Sequence, residues 1–138
     1  MKVLLDTNIL IDFALMRQPF YGSSERIIAL CDNKTIDGYV AAHTIVNMLY
    51  ILRKDYSISE RRSILKEFCE ILTVIGIEKK NLINALNNDA FTDVEDCLQF
   101  ECAKSCGADY IVTRNIKDFT ESTIPVLEPY EFLKLLNI

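Results

Sequence analysis

The sequence predicts an α/β fold, a three-layer α/β/α sandwich with a mainly parallel central sheet, built as a single domain over residues 1–138. Two observations carry this expectation. Short apolar runs alternate along the whole chain with stretches whose apolar residues recur at helical spacing, the order of strands joined by crossover helices. Polar turns follow the apolar runs, as at Val3-Leu4-Leu5-Asp6-Thr7-Asn8-Ile9-Leu10, where a strand hands over to a helix. Half of the residues (50%) are apolar, enough to fill a core.

In chain order, Val3 to Leu5 forms the first strand and Ile9 to Met16 the first helix, which Arg17-Gln18-Pro19-Phe20-Tyr21-Gly22 breaks. Ser23 or Ser24 caps a second helix that buries Ile27, Ile28, Leu30 and Cys31, and Ile36 to Ala41 follows as a second strand. From His43 to Lys54 a helix carries Ile45, Met48, Leu49 and Leu52, with Thr44 as N-cap and Asn47 therefore one turn in. Ser57 restarts a helix through Ile64, Leu65, Phe68 and Ile71, with Arg61 and Arg62 on its first turn, and Leu72 to Ile77 is a third, buried strand. Glu78 to Asn88 is helical, and a further helix is capped at Thr92 and ended by Gly107-Ala108-Asp109. Tyr110 to Thr113 is a fourth strand, Pro125 to Leu127 a short fifth, and Pro129 opens a terminal helix.

Composition excludes several classes. The formal charge of −5 argues against a general electrostatic grip on nucleic acid, so a phosphate partner needs metal ions or a local basic patch. No apolar run approaches the roughly 20 residues that span a bilayer, and the chain is expected to be soluble and cytoplasmic, without a membrane partner. Five cysteines, Cys31, Cys69, Cys97, Cys102 and Cys106, have neither Cys-x-x-Cys nor histidine partners at zinc spacing and are expected as buried reduced thiols. His43 is the single histidine, and without a nucleophile turn of the Gly-x-Ser-x-Gly type it is expected to pack or cap. Leu49, Tyr50, Leu52 and Ile64 are expected in the core, with the paired helices here as the surface of a dimer.

The chemistry gathers at acidic turns. Asp6 stands at the carboxyl end of a strand, the edge at which open α/β sheets bind ligands, though Asp6, Thr7 and Asn8 are equally suited to capping the next helix. Asp93 and Asp96, three apart, lie on one face of a helix start, and like charges so close repel unless a cation intervenes. Glu95 falls with Gln99 on the polar arc of that helix and is read as complementing the helix dipole, whereas Asp93 and Asp96 border Cys97 and Phe100 at the edge of the buried side. Asp96 is thus partly enclosed, and an enclosed carboxylate without a base needs a metal or a shifted pKa. Glu101 projects into an apolar arc, either to pair with a base or to reach the site. A second strand end supplies Thr113, Asn115 and Asp118. Oxygen donors without His or Cys suit Mg²⁺ or Mn²⁺.

Together, Asp6-Thr7-Asn8, Asp93-x-Glu95-Asp96 and Thr113-Arg114-Asn115-x-x-Asp118-Phe119 resemble the motifs of a PIN domain, in the right order over essentially the whole chain. The family comprises small α/β/α domains, many of them Mg²⁺- or Mn²⁺-dependent ribonucleases that include the toxins of VapBC pairs. The resemblance implies hydrolysis of RNA phosphodiesters by metal-activated water, with Asp6 as the first acid and Asp96 as the third. The fourth acid falls in the Thr113 to Asp118 turn, where Asn115 holds the usual position and Asp118 is the nearest carboxylate. Where many members carry a second acid, a Glu, this chain has Asn47, and Asp93 is the spare carboxylate. Asp6, Asp96 and Asp93 are thus the implied metal ligands, Asn8, Asn47, Thr113 and Asn115 the supporting polar groups, and Arg114 the candidate for RNA phosphates. An RNA substrate, a small antitoxin protein and a homodimer are the implied partners. The alternative, resting on Asn47 and Asn115, is a catalytically weakened PIN-like module that binds RNA or a partner protein.

Overall fold

The computed structural model describes residues 1–138. Its strands are β1 (Lys2–Leu5), β2 (Asp37–Ala41), β3 (Thr73–Ile75), β4 (Tyr110–Val112) and β5 (Val126–Leu127), all parallel, in the order β3-β2-β1-β4-β5. Seven helices connect or follow them: α1 (Thr7–Ala14), α2 (Tyr21–Asp32), α3 (Ala42–Ile51), α4 (Ile58–Ile71), α5 (Lys79–Asn87), α6 (Val94–Cys106) and α7 (Pro129–Leu135). This is the expected α/β/α sandwich.

Side-chain alternation along the strands divides the core in two. Val3, Leu5, Val40 and Val112 join a layer with residues of α1 to α4 and α7, such as Ile9, Ile27, Met48, Phe68 and Phe132. Leu4, Ala41 and Ile111 point the other way, into a layer with Cys97, Phe100, Ala103 and Ala85 of α6 and α5. Because both faces are covered, the central strands read as continuous apolar runs. The chain leaves β1 toward β2 and β3 on one side and later adds β4 and β5 on the other, so the carboxyl ends of β1 and β4 bound the crevice where such sheets bind ligands. Leu5 pairs with Val112, and the Asp6 N–H donates to the Val112 carbonyl at 3.0 Å, which sets the turns after the two strands side by side.

Several boundaries follow the anticipated chemistry. Ser57 and Glu60 form a reciprocal capping box at the start of α4, Pro129 is the first residue of α7, and Gly107 ends α6 at φ +66°, a left-handed conformation that favours glycine. Others do not. Thr44 does not cap α3: the helix begins at Ala42, and the buried Thr44 hydroxyl bonds that of Thr7 instead. Neither serine caps α2, which starts at Tyr21 with Ser24 buried in its first turn. Asp93, not Thr92, caps α6. The Leu72 to Ile77 run yields only the three residues of β3, an edge strand paired to β2 alone, with Thr73 and Val74 exposed, so its apolar character reflects packing beside Leu72 more than burial in the sheet. Three cysteines are buried, while Cys69 is exposed and Cys106 intermediate; all five are free. No helix is long and apolar enough to cross a membrane.

Candidate active site

Asp6 caps α1 at the carboxyl end of β1, so the capping reading of it holds. Its Oδ1 accepts the Thr7 N–H at 2.7 Å and Gln99 Nε2 at 3.3 Å. Its Oδ2 accepts Thr113 Oγ1 at 2.6 Å and Asn8 Nδ2 at 3.0 Å. Four donors thus fix a carboxylate that is 7% exposed. Burial raises its pKa, the bonds from Thr113 and Thr7 oppose that rise, and the charges of Glu95 and Asp118 add to it. The second turn interlocks with the first. Thr113 Oγ1, which donates to Asp6, also accepts from Asn8 Nδ2 at 3.1 Å and from the Asn115 N–H at 3.0 Å.

Asp96, on the first turn of α6, is the opposite case. It is half-buried and no side-chain or backbone donor in the chain bonds it, nor does any base. Burial, then the charges of Asp6, Asp93, Asp118 and Glu95, push its pKa up to about 7. Such a carboxylate near neutral pH either keeps a proton or needs a cation. Asp118, in the 3₁₀ turn Ile116–Phe119, is exposed at the rim and contributes its charge.

Glu95 and Gln99, expected on the polar arc of α6, face α3 and the end of β1. Gln99 is 1% exposed, and its Nε2 also reaches Thr44 Oγ1 at 3.0 Å and Thr7 Oγ1 at 3.2 Å. Glu95 Oε1 accepts Asn47 Nδ2 at 3.0 Å, and His43 Nε2 lies 3.9 Å from the same oxygen. Burial lowers the His43 pKa, and Glu95 partly offsets this. The signal available in the sequence was the polar set Thr7, Thr44 and Asn47: polar groups on buried faces demand polar partners.

The PIN domain family matches over residues 2–117. This chain belongs to the PIN domain family. Among solved structures, the PIN domain resembles VapBC2 of Rickettsia felis bound to a promoter DNA fragment, with 21% identity, a TM-score of 0.66, and coverage of 93% of this chain and 98% of the other. It resembles VapBC-1 of nontypeable Haemophilus influenzae at 18% identity and a TM-score of 0.69, covering 94% and 99% of the two chains. VapC20 of Mycobacterium tuberculosis, a sarcin–ricin loop cleaving toxin, matches at 12% identity and a TM-score of 0.68, over 88% and 95%. At these identities the likeness is one of fold. No curated protein sequence matches significantly.

In this PIN domain Asp93 is a helix cap: its Oδ1 accepts the Glu95 N–H at 2.7 Å, which turns it toward its own backbone. The carboxylate beside Asn47 is therefore Glu95, where the sequence pointed to Asp93. Arg114 is likewise redirected. Its Nε and Nη2 bond both oxygens of Asp12, at 2.5 and 3.2 Å, and its guanidinium lies 4.0 Å above the Phe20 ring. Asp12 was missed, although a carboxylate inside Ile9-Leu10-Ile11-Asp12-Phe13 was the clue, since a buried charge requires a base. Glu101 pairs with Lys104 at 2.7 Å and accepts Asn84 Nδ2 at 3.4 Å, on the α5 side of α6 and away from the crevice.

No three His, Cys, Asp or Glu side chains converge closely enough to enclose an ion unaided. The donor set nevertheless suits a hard cation that keeps most of its water and takes one or two carboxylates. Every candidate donor is oxygen, Asp6 is anchored, and Asp96 carries unshared lone pairs in a field of four other carboxylates. A cation there would relieve a repulsion that nothing in the chain offsets.

Proposed function

We propose that this PIN domain is a Mg²⁺- or Mn²⁺-dependent endoribonuclease whose centre is the crevice between β1 and β4. The observation that carries the reading is Asp96, a half-buried carboxylate without hydrogen-bond partners beside an anchored Asp6. Asp6 and Asp96 would hold the ion, Thr113 and Asn8 keep the Asp6 carboxylate in place, and Asn115 and Asp118 line the rim. When bound, the ion supplies a water of lowered pKa and screens the phosphodiester charge. The similarity to VapC20 supports RNA as the substrate class, and the VapBC complexes among similar structures support a toxin role with a small antitoxin partner.

The test is cleavage of single-stranded RNA by the purified chain with Mg²⁺ or Mn²⁺, with EDTA, and with Asp6→Asn and Asp96→Asn. Activity should require the metal and vanish in both folded variants; retained cleavage in either would remove that residue from the centre. The second reading, a module that binds RNA or a protein without cleaving, is favoured by the amides at Asn47 and Asn115 and predicts binding without turnover under every metal condition.

A further inference from the structure

We infer that Glu95 supplies the carboxylate that position 47 lacks, acting as a ligand of the divalent ion directly or through its water, with Asn47 as its positioning residue. The inference rests on the reading of the crevice as a divalent-cation centre. It comes from the contact between the two side chains. Asn47 Nδ2 donates to Glu95 Oε1 at 3.0 Å, which leaves Oε2 without a partner in the chain. Two carboxylates at that separation would repel, whereas an amide and a carboxylate attract. The pair therefore delivers one negative charge at the junction of α3 and α6, carried from the α6 side.

A purely capping role does not account for this geometry. The Glu95 side chain is half exposed, yet its Oε1 is held by Asn47 of α3 and lies 3.9 Å from His43 Nε2, and its charge is among those that raise the pKa of Asp6 and of Asp96. One turn on, the same face of α6 presents Gln99, whose Nε2 bonds Asp6 while its buried Oε1 has no partner. That acceptor is enclosed on a side chain 1% exposed, a buried polar oxygen with no partner in the chain. Glu95 thus extends the carboxylate set along α6, with the Asn47 amide holding its Oε1, while Gln99 holds Asp6 from the next turn.

The experiment is Mn²⁺ titration of the full chain, followed by the electron paramagnetic resonance of the free ion, with the melting temperature of each metal-free variant recorded beside it. Glu95→Gln should keep its melting temperature and lose affinity for Mn²⁺ by about tenfold or more, since ligand charge tunes hard-cation sites. The double variant Asn47→Glu with Glu95→Gln moves the carboxylate across the hydrogen bond and should recover affinity to within about threefold of the parent, as expected of coupled residues in contact. A folded Glu95→Gln with unchanged affinity overturns the assignment, as does a double variant no better than Glu95→Gln. If the parent chain itself takes up no Mn²⁺, the nuclease reading fails first and this one with it.

Discussion

Arg114 grips Asp12 with two hydrogen bonds, Nε to Oδ2 at 2.5 Å and Nη2 to Oδ1 at 3.2 Å, and Asp12 has no exposed side-chain surface. The pair ties α1 to the turn after β4, one residue beyond Thr113, and so supports the turn that fixes Asp6. Arg17 Nη1, 4.0 Å from Asp12, is a weaker second base. Removing one member of a buried pair leaves the other charge uncompensated, which costs about 3–5 kcal/mol. Arg114→Ala should therefore lower stability by about 3 kcal/mol in urea, near the lower bound because Arg17 remains. Arg114→Lys should fall between, since it keeps the charge and loses the fork. Melting equal to the parent would contradict a structural role for the Asp12–Arg114 pair.

The metal-free protein should lose stability as pH rises from about 4 toward 8. Asp96 has a folded pKa raised to about 7 from 3.8, so the fold favours its protonated form, and that contribution is present below the unfolded value and lost as pH passes the folded one. Asp6, also raised, acts in the same direction. Because Asp96 is partly solvent-exposed, the effect is discounted to on the order of 1–2 kcal/mol, several degrees of melting temperature in a chain of this size. Scanning calorimetry in EDTA at pH 5.5 and pH 8 measures the gap. Asp96→Asn should narrow it and raise stability at pH 8, and Mg²⁺ should raise the parent at pH 8 alone. A parent that is more stable at pH 8 in EDTA contradicts the crowded-carboxylate account.

The strands, the helices and the two acidic turns were legible because burial on both sheet faces writes apolar runs such as Val3-Leu4-Leu5, and turn chemistry is local. What could not be read was the direction in which polar arcs point. Glu95 and Gln99 share the polar arc of α6, and the approach of Thr7 and Thr44, brought from distant positions by the parallel sheet, buries Gln99 while Glu95 stays exposed beside Asn47. Thr44 misled for the same reason: an N-cap residue type is also a good buried hydrogen-bond partner, and tertiary contact decided between the roles. Arg114 looked free because its partner, Asp12, lies 102 positions away in the sequence.

Gln99→Leu should destabilise the fold by about 1–2 kcal/mol, the usual cost of deleting a buried donor whose acceptors remain. Its Nε2 serves Asp6, Thr7 and Thr44 together, so the loss falls on the site as well as on stability. Cleavage should drop more than the stability change explains at a temperature where the variant is fully folded. Gln99→Glu should destabilise the metal-free chain further, because it sets a carboxylate against that of Asp6. Full activity in Gln99→Leu would make the contact to Asp6 structurally and chemically neutral.

The most direct test of the centre is crystallographic: crystals of the chain soaked in Mn²⁺, with anomalous difference density calculated at the manganese edge. The account predicts a peak in the crevice at the carboxyl ends of β1 and β4, about 2.1–2.2 Å from a carboxylate oxygen of Asp96 and bonded to Asp6 directly or through a water. A featureless crevice at saturating Mn²⁺, with anomalous peaks only at exposed carboxylates elsewhere, would contradict it.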